Sequence, residues 1–232
     1  MSDTFRVRET QSTEVEVATC AKLQVPSEMK GVAYKADLVL FFTAEATQSD
    51  GFVAWASPCQ LHQTTMRPNA GRVNMNPYHL SYDKKKFFDQ FATTLHEVYH
   101  IMGFSKGLYS YYINPDTLTR KELSDTFIDK KSGKFPWRIR SPEVLKYARQ
   151  YYNCPTMDGV PVEDEGGSGS AGSHWEKLML GNEMMVGDQV ANPVLSAFTL
   201  KLLEDSGWYK INWSMEEPIF WEKSVGCSIL DG

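Results

Sequence analysis

The chain has 232 residues, 42% of them hydrophobic and 23% charged, with a formal net charge of −5. That length fits one large domain or two small ones, and the apolar share is enough for a sizeable buried core. The acidic balance offers no basic face for nucleic acid, and no apolar run approaches the roughly 20 residues that cross a bilayer.

In chain order, residues 1–20 contain no apolar signal-peptide core. Residues 15–73 read as strands and loops. ADLVLFFTA (36–44) is apolar and β-rich, and GFVAWAS (51–57) alternates weakly and stops before Pro58. The short run Lys84-Lys85-Lys86 reads as the solvated start of a helix. From Asp83 the period changes: Phe88, Phe91, Leu95, Val98 and Met102 recur at helical spacing and define one apolar face, and Gly103 is a natural stop. Residues 105–140 look loop-like. A second helix opens at Ser141-Pro142, a good cap followed by a good first residue. EDEGGSGSAGSHW (163–175) reads as a flexible Gly/Ser linker. A third helix is expected with Asn192 as cap, Pro193 as first residue and Gly207 as terminator. Cys20, Cys59, Cys154 and Cys227 form no CxxC pair. They are read either as buried thiols or as two disulfides in any pairing. Residues 223–232 carry no hydrophobic tail for a lipid anchor.

The chemistry concentrates in the first helix. His96-Glu97-Val98-Tyr99-His100 is an HExxH pattern. On a helix, positions i and i+4 share a face one turn apart, so both imidazoles can reach one Zn²⁺ at roughly 2.0–2.1 Å. Glu97 is rotated about 100° from His96, beside the metal rather than on it. There it can take a proton from a water that the metal acidifies and pass it to a leaving amine. The plain alternative is a core helix with satisfied histidines. The apolar face is complete without His96 or His100, which favours the metal.

A catalytic zinc takes three protein ligands and keeps one position open. The metzincin pattern HExxHxxGxxH sets Gly103 as the turning glycine, but Lys106 stands where its third histidine belongs. His62 and His79 lie in polar stretches and read as solvent-exposed. His174 follows the Gly/Ser-rich stretch and precedes NEMMVG, in which Met185 sits as the methionine of a Met-turn would.

HEVYHIMGF, GSHWEK and NEMM, together with AWASPCQ, SPEVLKYARQYYNC and NPVLSAFTLKLLEDSGWYK, resemble the leishmanolysin (gp63) family of zinc metallopeptidases. In that family a long insertion separates the glycine from the third zinc histidine, which accounts for Lys106. The resemblance implies an α+β, metzincin-like zincin fold: a twisted sheet with the active-site helix, then a helical and irregular C-terminal subdomain, divided as 1–104 and 105–232. It implies one Zn²⁺ held by His96, His100 and His174, Glu97 as general base and acid, Met185 in the Met-turn and Gly103 as the turn glycine. It implies a substrate-pairing edge strand of Gly51, Phe52, Val53, Ala54, Trp55 and Ala56. It also implies disulfides Cys20–Cys59 and Cys154–Cys227, and with them an oxidising, extracellular or cell-surface location. The sequon Asn212-Trp213-Ser214 fits such a location. Compared with the family, the chain resembles the catalytic core minus its first part, with no signal peptide or pro-segment visible. Membrane association is expected only through segments outside this sequence.

The expected activity is hydrolysis of peptide bonds in extended polypeptides, with no nucleic-acid partner. One alternative is an adhesion or binding protein that keeps zinc without useful proteolysis. Another is a structural zinc site, which needs a fourth protein ligand. Gly187 follows Met185 where a tyrosine would offer a further oxyanion donor, so no such side chain is named.

Overall fold

The structure, a computed structural model, describes residues 4–8, 12–46, 51–130, 133–165, 167 and 170–230. It divides into two units: Glu9–Gly103, and Phe104–Gly232 together with Met1–Arg8. Strand β1 (Phe5–Val7) therefore belongs with the second unit. Helices and small sheets mix throughout, as expected for an α+β chain.

In the first unit, β2 (Thr13–Glu14) pairs with β5 (Ala33–Tyr34), and β3 (Thr19–Cys20) pairs with β4 (Leu23–Gln24). These pairs accompany a three-stranded sheet of β6 (Val39–Thr43), β7 (Ala54–Leu61) and β8 (Pro68–Met75). β8 is central, parallel to β6 and antiparallel to β7. Val15, Cys20, Val25, Phe41 and Ala70 form the core on one side. The disulfide Cys20–Cys59 closes that layer. Helix α1 (Phe87–Met102) packs on the other side, where a Cβ at Gly71 would stand 2.7 Å from Ile101. Covered on both faces, β8 is buried along nearly all its length.

Two expectations change here. The strand read at Gly51–Ala56 starts later and runs further. Gly51, Phe52 and Val53 precede β7, and Asn76 bonds to the carbonyls of Phe52 and Val53. β7 then passes through Pro58 with a shift in register. As the terminal strand of its sheet, it tolerates a residue without an N–H. The apolar face of α1 is also only half a core face: Phe88 is 77% exposed and Phe91 50%, and the buried residues lie in the last turns. The lysine run forms a 3₁₀ turn capped by Asp83, whose carboxylate accepts the Lys85 N–H at 2.9 Å. Gly103 ends the helix as expected, with φ 156° and its N–H on the Tyr99 carbonyl.

In the second unit, β1 pairs antiparallel with β12 (Tyr209–Ile211). A second sheet runs in the order β11 (Val160–Pro161), β10 (Trp137–Ile139), β9 (Phe127–Asp129). The helices are α2 (Leu123–Thr126), α3 (Pro142–Tyr152), α4 (Lys177–Leu180) and α5 (Ala197–Asp205). Tyr147, Tyr151 and Tyr152 of α3 pack their rings on Phe198 of α5. Pro142 is the first residue of α3 as expected. The first-turn N–H groups of Glu143 and Val144 are capped by the Asp205 carboxylate at 3.0 and 3.2 Å. Cys154–Cys227 is the second disulfide.

The third helix begins later than its sequence suggests. Asn192 is left-handed at φ 50°, Val194 bridges to Glu183, and Ser196 is the cap of α5. Gly207 follows the helix at φ 81°, where any side chain would run into the Ile113 carbonyl oxygen. The Gly/Ser linker is also corrected from residue 170 onward, residues 166, 168 and 169 lying outside those described. Ala171, Ser173, His174 and Trp175 are buried. Tyr109 donates to the Gly172 carbonyl at 2.9 Å, and the Lys106 N–H donates to Ser173 Oγ at 3.1 Å. These bonds and the burial override the local flexibility of glycine and serine.

Candidate metal centre

α1 carries the first two candidate ligands on one face. The Nε2 atoms of His96 and His100 lie 3.0 Å apart, with ring planes at 86°. Two nitrogens bound tetrahedrally to zinc at 2.0–2.1 Å stand about 3.3 Å apart, so this spacing is close to what a shared ion requires. Glu97, between them in sequence, is buried, and burial pushes its carboxyl up to about 8.

His174 is held within the second unit. Its carbonyl accepts the Glu163 N–H at 3.0 Å, and the next residue, Trp175, donates its N–H to the Met185 carbonyl at 2.9 Å. The ring Nδ1 lies 3.0 Å from Ser170 Oγ and 3.2 Å from the Ser170 carbonyl. A carbonyl can only accept, so the contact with it calls for a proton on Nδ1 and leaves the Nε2 lone pair for a metal. Glu163 Oε2 stands 3.7 Å from Nδ1, and burial pushes this carboxyl up to about 7.

Met185 is fully buried in a turn closed by the Val186 N–H on the Glu183 carbonyl at 3.3 Å. The Gly187 N–H donates to Glu163 Oε1 at 3.3 Å. Lys106, at the position where a compact metzincin has its third histidine, lies with its ammonium 3.2 Å from the centroid of the Trp137 ring. Nδ1 of His62 accepts the N–H groups of Thr64 and Thr65, and His79 sits in an exposed 3₁₀ turn. Among the described residues, His96, His100 and His174 are the one group of three or more metal-ligating side chains that could hold an ion. Three imidazoles with no thiolate among them suit a zinc that keeps an open position. What sequence reading missed is Glu183, a wholly buried acidic side chain two residues before Met185. Its only signal is a lone charge inside the apolar run LMLGNEMMV.

A helix presenting two imidazoles at i and i+4 with a buried carboxylate between them has the architecture of the HExxH metallopeptidases. Residues 1–232 match the leishmanolysin peptidase family along their whole length, and the chain belongs to that family. It is 34% identical over 225 residues to a leishmanolysin-like peptidase of Drosophila pseudoobscura pseudoobscura, covering 83% of this chain and 33% of that one. It is 33% identical over 225 residues to the Drosophila melanogaster leishmanolysin-like peptidase, with the same coverage of each chain. It is 32% identical over 214 residues to a leishmanolysin homolog of Crithidia fasciculata, covering 92% of this chain and 31% of that one. The chain thus spans about a third of the length of these relatives.

Proposed function

We propose that the chain is the catalytic part of a zinc-dependent metalloendopeptidase with a metzincin-like fold. The observation that carries this reading is the pair of imidazoles on α1 with buried Glu97 beside them, in a member of the leishmanolysin family. His96, His100 and His174 would hold one Zn²⁺, and Met185 would floor the site. When bound, zinc supplies Lewis acidity at the scissile carbonyl and lowers the pKa of water toward about 7. Glu97 takes the proton that the attacking water sheds and returns it to the leaving amine. Burial alone raises this carboxyl and a bound zinc would pull it back down, so the two together would leave it able to take a proton and return it. Substrate polypeptide would lie extended along the terminal strand β7 and its lead-in from Gly51, paired through main-chain hydrogen bonds. Two disulfides fit an extracellular or cell-surface protein, and no helix among the described residues is long and apolar enough to cross a membrane.

The test combines zinc stoichiometry with turnover of a quenched-fluorescent peptide library. The wild-type chain should bind one zinc and cleave. Chelation should abolish cleavage, zinc should restore it, and His174→Ala should weaken zinc binding. A zinc-loaded chain that cleaves nothing would support zinc binding without proteolysis instead. Full zinc affinity in His174→Ala would remove His174 from the site.

A further inference from the structure

Glu183 has no role in the chemistry above, yet it is the most completely enclosed carboxylate of the turn that holds Met185. Its side chain accepts four hydrogen bonds, and two of them run to residues that in turn bond Trp175, the neighbour of the third candidate ligand. Oε2 accepts the backbone N–H of Met185. Oε1 accepts three donors: Ser196 N–H at 3.3 Å, Ser196 Oγ–H at 2.9 Å and Thr199 Oγ–H at 2.6 Å. Thr199 Oγ in turn accepts the indole N–H of Trp175 at 2.9 Å. The Met185 carbonyl, at the other end of its peptide unit, accepts the Trp175 backbone N–H at 2.9 Å. Trp175 is thereby tied at its backbone and at its ring, both times to an atom whose residue is bonded to Glu183. His174 is its covalent neighbour and is pinned on the other side by Glu163.

The chemistry of the network is one-sided. Four donors converge on one carboxyl group, which in either protonation state keeps acceptor capacity on both oxygens. Burying a carboxylate is costly, and the same packing could be had from an apolar side chain if volume were all that mattered. What the carboxylate adds is a fixed relation between the turn at Met185, the start of α5 and the segment that carries His174.

We infer that Glu183 is a positioning residue for the metal site: by holding Met185, Thr199 and through them Trp175, it fixes the backbone that presents the His174 imidazole. This rests on the reading of His174 as a zinc ligand. Groups that orient a ligand typically account for 10–100-fold in metal affinity.

The test is zinc affinity of the whole 232-residue chain, measured by competition with a chromophoric chelator and set beside the melting of the metal-free protein. Glu183→Gln keeps the shape but turns an amide N–H₂ toward donors on one side. Thr199→Val removes one donor and frees the indole, and it serves should Glu183→Gln fail to fold. Leu203→Ala, a buried change in α5 outside the network, controls for lost stability. Glu183→Gln is expected to weaken zinc binding 10–100-fold and Thr199→Val several-fold, while Leu203→Ala melts earlier with near wild-type affinity. Wild-type affinity in both network variants would overturn the inference, as would an equal loss in Leu203→Ala. If the wild-type chain binds no zinc, the metal reading falls and takes this inference with it; if it binds zinc as tightly as Glu183→Gln, only the inference falls.

Discussion

At the scale of single residues, the second unit owes its pH response to buried carboxyls. Burial pushes Glu183 up from 4.5 to about 7 against the pull of its hydrogen bonds. The folded chain then keeps this proton at pH values where the unfolded chain has lost it. Stability from this group is therefore full below about 4.5 and falls as pH rises toward about 7. The gap is worth on the order of 3 kcal/mol. Denaturant unfolding of the metal-free chain at pH 5 and pH 8 should show the higher stability at pH 5. Glu183→Gln should shrink that difference by about this amount. Glu163, Glu204 and Asp205 in the same unit and Glu97 in the first, all raised by burial, keep the remainder. An undiminished difference in Glu183→Gln would show that its proton is not the one released.

At the scale of elements, α1 does two jobs at its two ends. The last turns are buried, and Ile101 fills the space that Gly71 leaves open on β8. The first turns expose Phe87, Phe88 and Phe91. Ile101→Ala should cost about 2–5 kcal/mol in equilibrium unfolding, since it removes packed methylenes and opens a cavity. Phe88→Ala should change stability by less than about 1 kcal/mol, as a side chain that stays in water has little to lose. Equal costs for the two would mean that the described packing of α1 is wrong. Periodicity alone could not separate these ends, because it records which residues are apolar and not which part of a stripe a sheet covers. The misplaced start of α5 has a related cause. Asn192-Pro193 is a fair local cap, but Ser196 is secured by Glu183 from a distant turn, and that tertiary bond fixes the boundary. Pro58 misled in the opposite direction: it breaks a central strand but fits a terminal one.

At the scale of the whole molecule, the legible parts were those that depend on local spacing. The HExxH face, the stop at Gly103 and Pro142 as first residue of α3 each follow from residues within a few turns. The disulfide pairing came from family resemblance and is found as expected. The burial of residues 171–175 was not legible, because a run of glycine and serine looks mobile until Tyr109, Lys106 and Glu163 bond to it. The division of the chain also follows long-range pairing: β1 opens the sequence yet joins β12 near its end.

The central claim is that Glu97 performs the proton transfer of peptide hydrolysis, and the most direct measurement is kcat/KM on one cleaved peptide for wild type and Glu97→Ala, each with its bound zinc counted. The account predicts equal zinc content and a loss of at least about 10²-fold in Glu97→Ala. Comparable turnover by the two zinc-loaded proteins would contradict it.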